Sequence, residues 1–418
     1  MKTRTAARPT RFPALLVSRV VEQCALGGVS LLLAARLGTL AFAPIGVLFV
    51  VNSAAVTLSD FGVGLAALRC PVQLHVATAV RRRMRLLNGV VLVVGVLVGS
   101  AVAGDTGLLI AASAAIWWSS SEAFVEKASA INRGRGARAA SAELVGSVCF
   151  AGLAVAFAHG SLALAVIGGG LVTKHVLEAL IARSHEDVFA RDGVAGEIGA
   201  LWVTQALAFA IANVDYLLVA IMLGPSAFSV YSIAYRLAVG VPATVAYVAS
   251  RTAVAELASV DDAAARELRY GRYVRPLFVL GAAAGLAVAV CAPVLANLLG
   301  QQWAQVGPTA AVLAIALPWR MIAGQAGALA ITGGNTRRLV GWELERLLGF
   351  SVAYSIAAWF GFSAFVASVS IAWIVGITLL RRTAERTDGI AAPTWLERAA
   401  VLACVLAVAA TALWQVLA

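Results

Sequence analysis

The sequence predicts an all-α integral membrane protein with two six-helix transmembrane lobes, related by a pseudo-two-fold axis along the membrane normal, and one extra C-terminal helix. Three observations carry this prediction: the composition, a series of long apolar stretches and an internal repeat. Of the 418 residues, 61% are hydrophobic and 13% are charged, and the mean hydropathy is +0.89. Soluble domains carry about 25% charged residues, so this composition indicates a chain that lies mostly in lipid.

Long apolar stretches define the predicted helices. A helix needs about 20 mostly apolar residues to cross a hydrocarbon layer of about 30 Å. Thirteen stretches are candidates, at residues 13–35, 43–67, 86–104, 107–124, 142–158, 161–181, 199–223, 227–249, 276–299, 308–331, 339–360, 362–380 and 396–417. The sixth contains Lys174, and the eleventh contains Glu343, Glu345 and Arg346, so these two are the most polar.

An internal repeat predicts two equivalent halves. The segments LLLAARLGTLAF, from Leu31 to Phe42, and LLVAIMLGPSAF, from Leu217 to Phe228, are identical at seven of twelve positions. Each lies where one apolar stretch ends and the next begins, so the two segments mark equivalent corners. Six crossings return the chain to its starting side, so the halves would have parallel orientation. Such duplication is a common plan of secondary transporters, whose substrate path lies between the repeats.

The domain boundaries follow from this division. Residues 1–190 form the N-terminal six-helix lobe and residues 191–384 form the C-terminal one. Residues 385–418 contain a polar linker and an accessory transmembrane helix, which falls outside the duplication and is expected to serve as a packing helix.

The distribution of basic residues predicts the orientation. Most Lys and Arg residues fall on the side of the amino terminus, whereas the opposite connections are short and contain Arg36 alone. Cytoplasmic loops retain an excess of Lys and Arg, so the amino terminus is predicted to be cytoplasmic in a multi-pass protein of the inner (plasma) membrane. The first apolar stretch is interrupted by Arg19, Glu22 and Gln23, which argues against a secretory signal. The net charge of +11 is then a topology signal rather than a nucleic-acid footprint.

Cysteine and histidine give no chemical site. The five cysteines and four histidines are scattered through the chain without paired or ligand spacing. The sequence therefore predicts no disulfide framework, no metal site and no cofactor.

Ionisable residues inside the apolar stretches are the candidate functional residues, because a charge at a helix centre costs about 2.5 to 3.5 kcal/mol on insertion scales. They are Arg19, Glu22, Lys174, Glu178, Asp215, Arg236, Arg320, Glu343, Glu345 and Arg346. Three pairs stand three or four positions apart on one helix and could neutralise each other without a substrate: Arg19 with Glu22, Lys174 with Glu178, and Glu343 with Arg346.

Asp215, Arg236 and Arg320 lie in the second half. Asp215 and Arg236 are at similar depth on adjacent antiparallel stretches, so a cross-helix salt bridge is the alternative to contact with a substrate. Arg320 has no acid within a turn and follows Pro318, which removes one backbone hydrogen bond and frees a carbonyl. Arg320 is the best single candidate for a cation facing a ligand, and a paired or snorkelling arginine at a kink is its alternative.

Several segments resemble the bacterial polysaccharide and O-antigen flippases of the multidrug, oligosaccharidyl-lipid and polysaccharide exporter superfamily. They are the corner at Ala35-Arg36-Leu37-Gly38, the segment Ser59 to Gly64, Asn213-x-Asp215-x-Leu217-Leu218, Tyr231 to Arg236, and Ala292 to Trp303. The resemblance implies two six-helix lobes around a central cavity. It also implies movement of an undecaprenyl-pyrophosphate-linked glycan from the cytoplasmic to the outer leaflet for surface polysaccharide synthesis.

The resemblance assigns roles to individual residues. Cavity cations hold the pyrophosphate in that family, and by position Arg19, Arg236 and Arg320 would bind the substrate here. Glu22 and Asp215 would serve ion coupling or charge pairing. The expected partners are the lipid-linked anionic glycan, membrane lipid and other polysaccharide-assembly membrane proteins.

Other classes of protein fit the sequence less well. A cation-coupled multidrug antiporter of the same superfamily would place carboxylates in the cavity, and Glu22 and Asp215 keep that alternative open. A membrane glycan polymerase or glycosyltransferase would normally present catalytic residues in a sizeable outer loop, and the outer connections here are short. A nucleotide-driven pump would need a phosphate-binding loop, and the motif G-x-x-x-x-G-K-[ST] does not occur. The sequence therefore predicts a transporter and not an enzyme.

Overall fold

The computed structural model describes residues 12–59, 77–132, 135–183, 195–257, 260, 262–333, 336–387 and 395–417. Every regular element in these ranges is helical, which confirms the predicted all-α class. The predicted end of the second helix beyond Ser59, most of the segment Ser59 to Gly64, and the basic residues of the amino terminus lie outside the described residues.

Fourteen long helices, numbered in chain order, make up the described chain. They are α1 (Phe12–Arg36), α2 (Thr39–Leu58), α3 (Ala77–Ala101), α4 (Gly104–Asn132), α5 (Gly136–Phe157), α6 (Ala163–Ala182), α7 (Ala195–Leu218), α8 (Gly224–Leu257), α9 (Ala263–Leu299), α10 (Val306–Ala314), α11 (Leu317–Thr332), α12 (Thr336–Ala358), α13 (Phe362–Thr387) and α14 (Trp395–Leu417). Together they cover all thirteen predicted positions, because α10 and α11 share the tenth.

By length and composition, eight segments of the described chain could cross a membrane, and a ninth if α10 and α11 form one bent span. One of the eight, Trp202–Val254, contains both α7 and α8. The chain reverses between them at Gly224, since Tyr235 on α8 donates to the carbonyl of Ala212 on α7 over 3.3 Å. The predicted fourth, eleventh and thirteenth spans, now α4, α12 and α14, are helical but fall short of this test.

Glycines make the tight turns at one end of the bundle. Backbone φ is positive at Gly104, Gly160, Gly224, Gly300 and Gly361, a conformation that side chains disfavour. All five lie in connections that the sequence places opposite the basic loops. We call this end the glycine-turn side and the opposite end the basic side.

Pro318 marks a break in the predicted tenth helix, as expected. The helical segments Gln301–Ala314 and Leu317–Thr332 meet at 48°. Pro318 stands in the first turn of α11, where a missing N–H costs little. Ser370 of α13 donates to the carbonyl of Val312 over 2.8 Å, so a neighbouring helix provides a hydrogen bond to a backbone carbonyl near the break.

The helices pack in two groups. In the first, α1 packs on α5, α4 packs on α2, α3 and α6, and α5 packs on α6. In the second, α7 packs on α12, α11 packs on α8, α9 and α13, and α14 packs on α13. Contacts between the groups come mainly from α1 and α2 against α7 and α8. The boundaries at residues 190 and 384 remain predictions.

The two repeated corners meet at the glycine-turn side. Ser226 Oγ donates to Thr39 Oγ1 over 3.0 Å, and Ser229 Oγ donates to the Thr39 carbonyl over 2.5 Å. The rings of Phe42 and Trp303 meet edge to face, with centroids 5.8 Å apart. The duplicated segments therefore form part of the contact between the two groups.

Candidate functional site

Six buried charged side chains form a closed ring in the first group of helices. Arg19 contacts Glu22 (3.0 Å), Glu22 contacts Lys174 (2.7 Å), Lys174 contacts Glu178 (2.6 Å), Glu178 contacts Lys127 (2.8 Å), Lys127 contacts Glu143 (3.1 Å), and Glu143 returns to Arg19 (2.9 Å). We call these six residues the charge ring. It joins α1, α4, α5 and α6 toward their basic-side ends.

The charge ring is electrically balanced, because each of its three cations bridges two of its three carboxylates. Arg19 is 20% exposed, whereas Lys174 and Glu178 are fully buried. Further polar side chains extend the network: Ser18 donates to Glu143 over 2.9 Å, and His175 Nε2 lies 2.7 Å from Asn52 Oδ1. A buried ionic network is tolerated when its charges are paired and hydrogen-bonded in this way.

Two of the predicted site residues, Arg19 and Glu22, belong to the charge ring. Arg19 pairs with Glu22, as the alternative expected, and also with Glu143. Lys174 pairs with Glu178 in the same manner. Lys127 was missed because the predicted fourth helix stops at residue 124 and placed it in a loop. Glu143 lies inside the predicted stretch 142–158 but was not among the candidate residues. In the structure α4 continues to Asn132 and Lys127 is buried.

Asp215 lies in the second group, four residues before a π-helical turn at Val219–Leu223. It is fully buried, and its carboxylate accepts a hydrogen bond from Tyr231 over 2.6 Å and one from the backbone N–H of Tyr216 over 2.9 Å. Single π turns are frequent at functional sites. The predicted alternative, a salt bridge from Asp215 to Arg236, is not formed between these two described residues.

Arg320 lies beside this carboxylate among aromatic rings. Its Nη1 donates to the Tyr235 hydroxyl over 2.6 Å, and its guanidinium lies over the Trp373 ring, 4.1 Å from the centroid. The residue is 8% exposed. Its Nε and Nη2 atoms have no hydrogen-bond partner in the described part of the chain. Buried donors almost always have a hydrogen-bond partner, so Arg320 can donate to a further group.

Arg236 faces the first group of helices. Its guanidinium lies over the ring of Phe49 in α2, 4.1 Å from the centroid. The side chain is half-buried, and Nε has no partner among the residues described. Cation–π contact stabilises such a group without neutralising it. Arg236 therefore lies at the contact between the two groups as a cation that still has hydrogen-bonding capacity.

A cavity of about 220 Å³ lies in the second group, farther from the Gly224 turn than Arg320. Residues of α7, α8, α11, α12 and α13 line it, and Gln205, Tyr247, Glu343, Arg346 and Trp373 are the large polar or aromatic ones. Arg346 donates to Glu343 over 2.7 Å, which confirms the predicted pairing within one helix. We call this cavity the C-half pocket.

The residues predicted to bind substrate or to couple ions are not among the described residues that line the C-half pocket, whereas the candidates Glu343 and Arg346 do line it. Arg320 reaches it through Trp373, whose ring also lies 5.8 Å from the Arg346 guanidinium carbon. Tyr247 on the pocket wall interacts electrostatically with Arg19 of the charge ring. Arg320 therefore lies next to the pocket, whereas Arg19 and Glu22 belong to the charge ring. Trp373 could not be recognised from the sequence, because a single tryptophan in an apolar stretch usually serves only to pack against its neighbours.

Comparison with known proteins agrees with this architecture. A sequence profile described as "Polysaccharide biosynthesis protein" matches residues 198–318, which include Asp215 and Arg236. No curated protein sequence matches the chain.

Solved structures share the fold over almost the whole chain. A MATE protein in complex with MaL6 aligns at a TM-score of 0.65 and 14% identity, covering 95% of this chain and 100% of that one. An inward-facing multidrug resistance MATE family transporter of the MOP superfamily aligns at a TM-score of 0.61 and 13% identity, covering 93% of this chain and 99% of that one. A MOP superfamily transporter from Pyrococcus furiosus aligns at a TM-score of 0.61 and 15% identity, covering 92% of this chain and 99% of that one. Its binding pocket is described as having reverse polarity. These structures show that the chain has the fold of MATE and MOP superfamily transporters, and the polysaccharide biosynthesis profile matches residues 198–318 within that fold.

Proposed function

We propose that this protein is a transporter, not an enzyme, and that it flips a lipid-linked anionic glycan of the undecaprenyl-pyrophosphate type across a bacterial inner membrane. The basic side faces the cytoplasm, where the substrate enters, and the glycan leaves on the glycine-turn side. Other polysaccharide-assembly membrane proteins would supply and receive it.

The observation that carries the proposal is the environment of Arg320. A buried guanidinium with two nitrogen atoms that have no partner in the described structure is suited to an oxygen-rich anion, because charge-assisted bonds to phosphate are among the strongest hydrogen bonds. Arg236 adds a second cation at the contact between the two groups of helices. Arg19 has two carboxylate partners already, so a role for it requires the substrate to compete with Glu22 and Glu143.

Cation-coupled multidrug antiport is the second candidate, and the multidrug transporters that share the fold favour it. Two buried carboxylates in the second group, Asp215 and Glu343, could bind a cationic drug or a coupling ion. Their pairing with hydroxyl and guanidinium groups argues against this, because an antiporter site needs a carboxylate available to the ion.

Replacement of arginines in cells that depend on this protein for surface glycan tests the proposal. Arg320→Ala and Arg236→Ala should reduce glycan display at unchanged protein levels. Arg85→Ala is the matched control, since Arg85 is 53% exposed and pairs with Glu122 at the surface. Unchanged glycan display in Arg320→Ala cells with normal protein levels would contradict the proposal. Increased drug sensitivity with intact glycan would favour the antiporter.

A further inference from the structure

The wall of the C-half pocket carries both hydrogen-bond donors and acceptors without partners. Gln205 Oε1 is an acceptor, and Arg346 Nε and Trp373 Nε1 are donors. None of the three atoms has a partner in the described structure, and each is covered in this conformation, so a ligand in the pocket reaches it when the side chain rotates. Burial of a polar atom without a hydrogen-bond partner is unfavourable, so a ligand that pairs with these atoms would be stabilised.

The mixture of donors and acceptors decides what kind of ligand fits. A phosphate oxygen only accepts hydrogen bonds, whereas a sugar hydroxyl both donates and accepts. The charge on this wall is balanced, because Arg346 is paired with Glu343. Most other lining residues are apolar or small, among them Ala208, Ile211 and Gly327. A neutral, polyhydroxylated ring with apolar C–H faces meets these conditions better than a phosphate.

The size of the pocket limits the ligand to one ring. Pockets for drug-sized molecules occupy about 300 to 1,000 Å³, and this one has about 220 Å³. It lies next to Arg320, through Trp373, so an anionic group at Arg320 and a ring in the pocket can belong to one molecule.

We propose that the C-half pocket binds one uncharged sugar ring of the lipid-linked glycan, while the anionic linkage lies at Arg320. This inference rests on the proposed function and deepens it by dividing recognition into two parts. Gln205, Arg346 and Trp373 determine specificity for the sugar, and Arg320 holds the charge.

Gly327 offers a way to fill the pocket without disturbing the packing. It lines the pocket, and a Cβ added there meets no atom within 4 Å. Gly349 of α12 has equally open surroundings but lies on the exposed face, so Gly349→Leu is the matched control for Gly327→Leu. Gln205→Leu is a second variant, which removes the acceptor at nearly constant volume.

The test compares the affinities of two probes for purified protein in lipid nanodiscs. One probe is a short-chain polyprenyl diphosphate, and the other is the same lipid diphosphate carrying one N-acetylhexosamine. The wild type and Gly349→Leu should bind the sugar-bearing probe about tenfold more tightly, the value of roughly one well-made hydrogen bond. Gly327→Leu and Gln205→Leu should lose this preference and keep their affinity for the sugar-free probe.

Each contrary result has a separate meaning. Equal binding of both probes by the wild type, or a preference retained in both Gly327→Leu and Gln205→Leu, would overturn the sugar site and leave the proposed flippase standing. Failure of the wild type to bind either probe would overturn the flippase proposal, and the sugar site with it.

Discussion

The charge ring of the first half and the Asp215 and Arg320 region of the second half bond their buried ionisable residues in opposite ways. In the first half, six charges close on themselves, and each cation of the charge ring has two carboxylate partners. In the second half, Arg320 lies over aromatic rings with two of its nitrogen atoms unpaired in the described structure, and Asp215 accepts hydrogen bonds from a hydroxyl and a backbone N–H. A saturated network stabilises a fold, whereas an unsaturated one can still bind something.

This difference separates structure from function among residues that look alike in the sequence. Arg19 and Arg320 are both arginines inside apolar helices, and both were predicted to bind substrate. Their surroundings give Arg19 the bonding of a structural residue and Arg320 the bonding of a ligand-binding one. The comparison can be tested by removing one group at a time.

The largest expected effect comes from breaking the charge ring. Lys174→Met removes a fully buried cation and leaves Glu22 and Glu178 each short of one partner. Loss of one member of a buried ion pair costs about 3 to 5 kcal/mol. The variant should therefore unfold at a markedly lower temperature in detergent, or fail to accumulate in the membrane.

A second substitution should restore much of this loss. Lys174→Met combined with Glu178→Met removes one cation and one anion, and Arg19, Glu22, Glu143 and Lys127 remain a balanced chain. Thermal unfolding of the double variant should lie between the wild type and Lys174→Met. If the double variant were less stable than the single one, the charge ring would not act as a balanced network.

The next effect concerns the buried carboxylate of the second half. Tyr231→Phe removes the 2.6 Å hydrogen bond to Asp215 with little change in volume. A buried acceptor that loses a partner costs about 1 to 3 kcal/mol. The unfolding temperature should fall by less than in Lys174→Met, and Asp215→Asn combined with Tyr231→Phe should recover part of the loss.

Arg320→Met should cost less stability than Lys174→Met or Tyr231→Phe. The described contacts that it loses are one hydrogen bond to Tyr235 and the cation–π contacts. The expected loss is about 1 kcal/mol, since an ordinary hydrogen bond contributes about that much. A loss as large as that of Lys174→Met would mean that Arg320 is as structural as the charge ring.

The smallest effect is expected at the surface. Arg85→Ala breaks the 2.8 Å contact with Glu122, but Arg85 is 53% exposed. Exposed ion pairs are worth about 0 to 1 kcal/mol, so the unfolding temperature should hardly change. A large shift would show that charge pairing alone, without burial, governs stability in this protein.

The positions of the helices and of the two repeated corners could be predicted from the sequence. Long apolar stretches mark the helices, the repeated segments at Leu31 and Leu217 mark the corners, and both are local features of the chain. The break near Pro318 and the pairs within one helix, such as Glu343 with Arg346, were predictable for the same reason. The charge ring was not, since it joins helices that are distant in sequence and one of its members, Lys127, was assigned to a loop. Tyr231, the partner of Asp215, and Trp373, the partner of Arg320, were also missed, because neither side chain carries a charge that marks it.

The most direct test of this account is a flipping assay in proteoliposomes with a fluorescent sugar-bearing lipid diphosphate. Arg320→Met should lose most of the wild-type rate, whereas the more destabilised Lys174→Met, Glu178→Met double variant should keep it when assayed below its unfolding temperature. Wild-type flipping by Arg320→Met, together with loss of flipping in the folded double variant, would contradict the division between a structural first half and a ligand-binding second half.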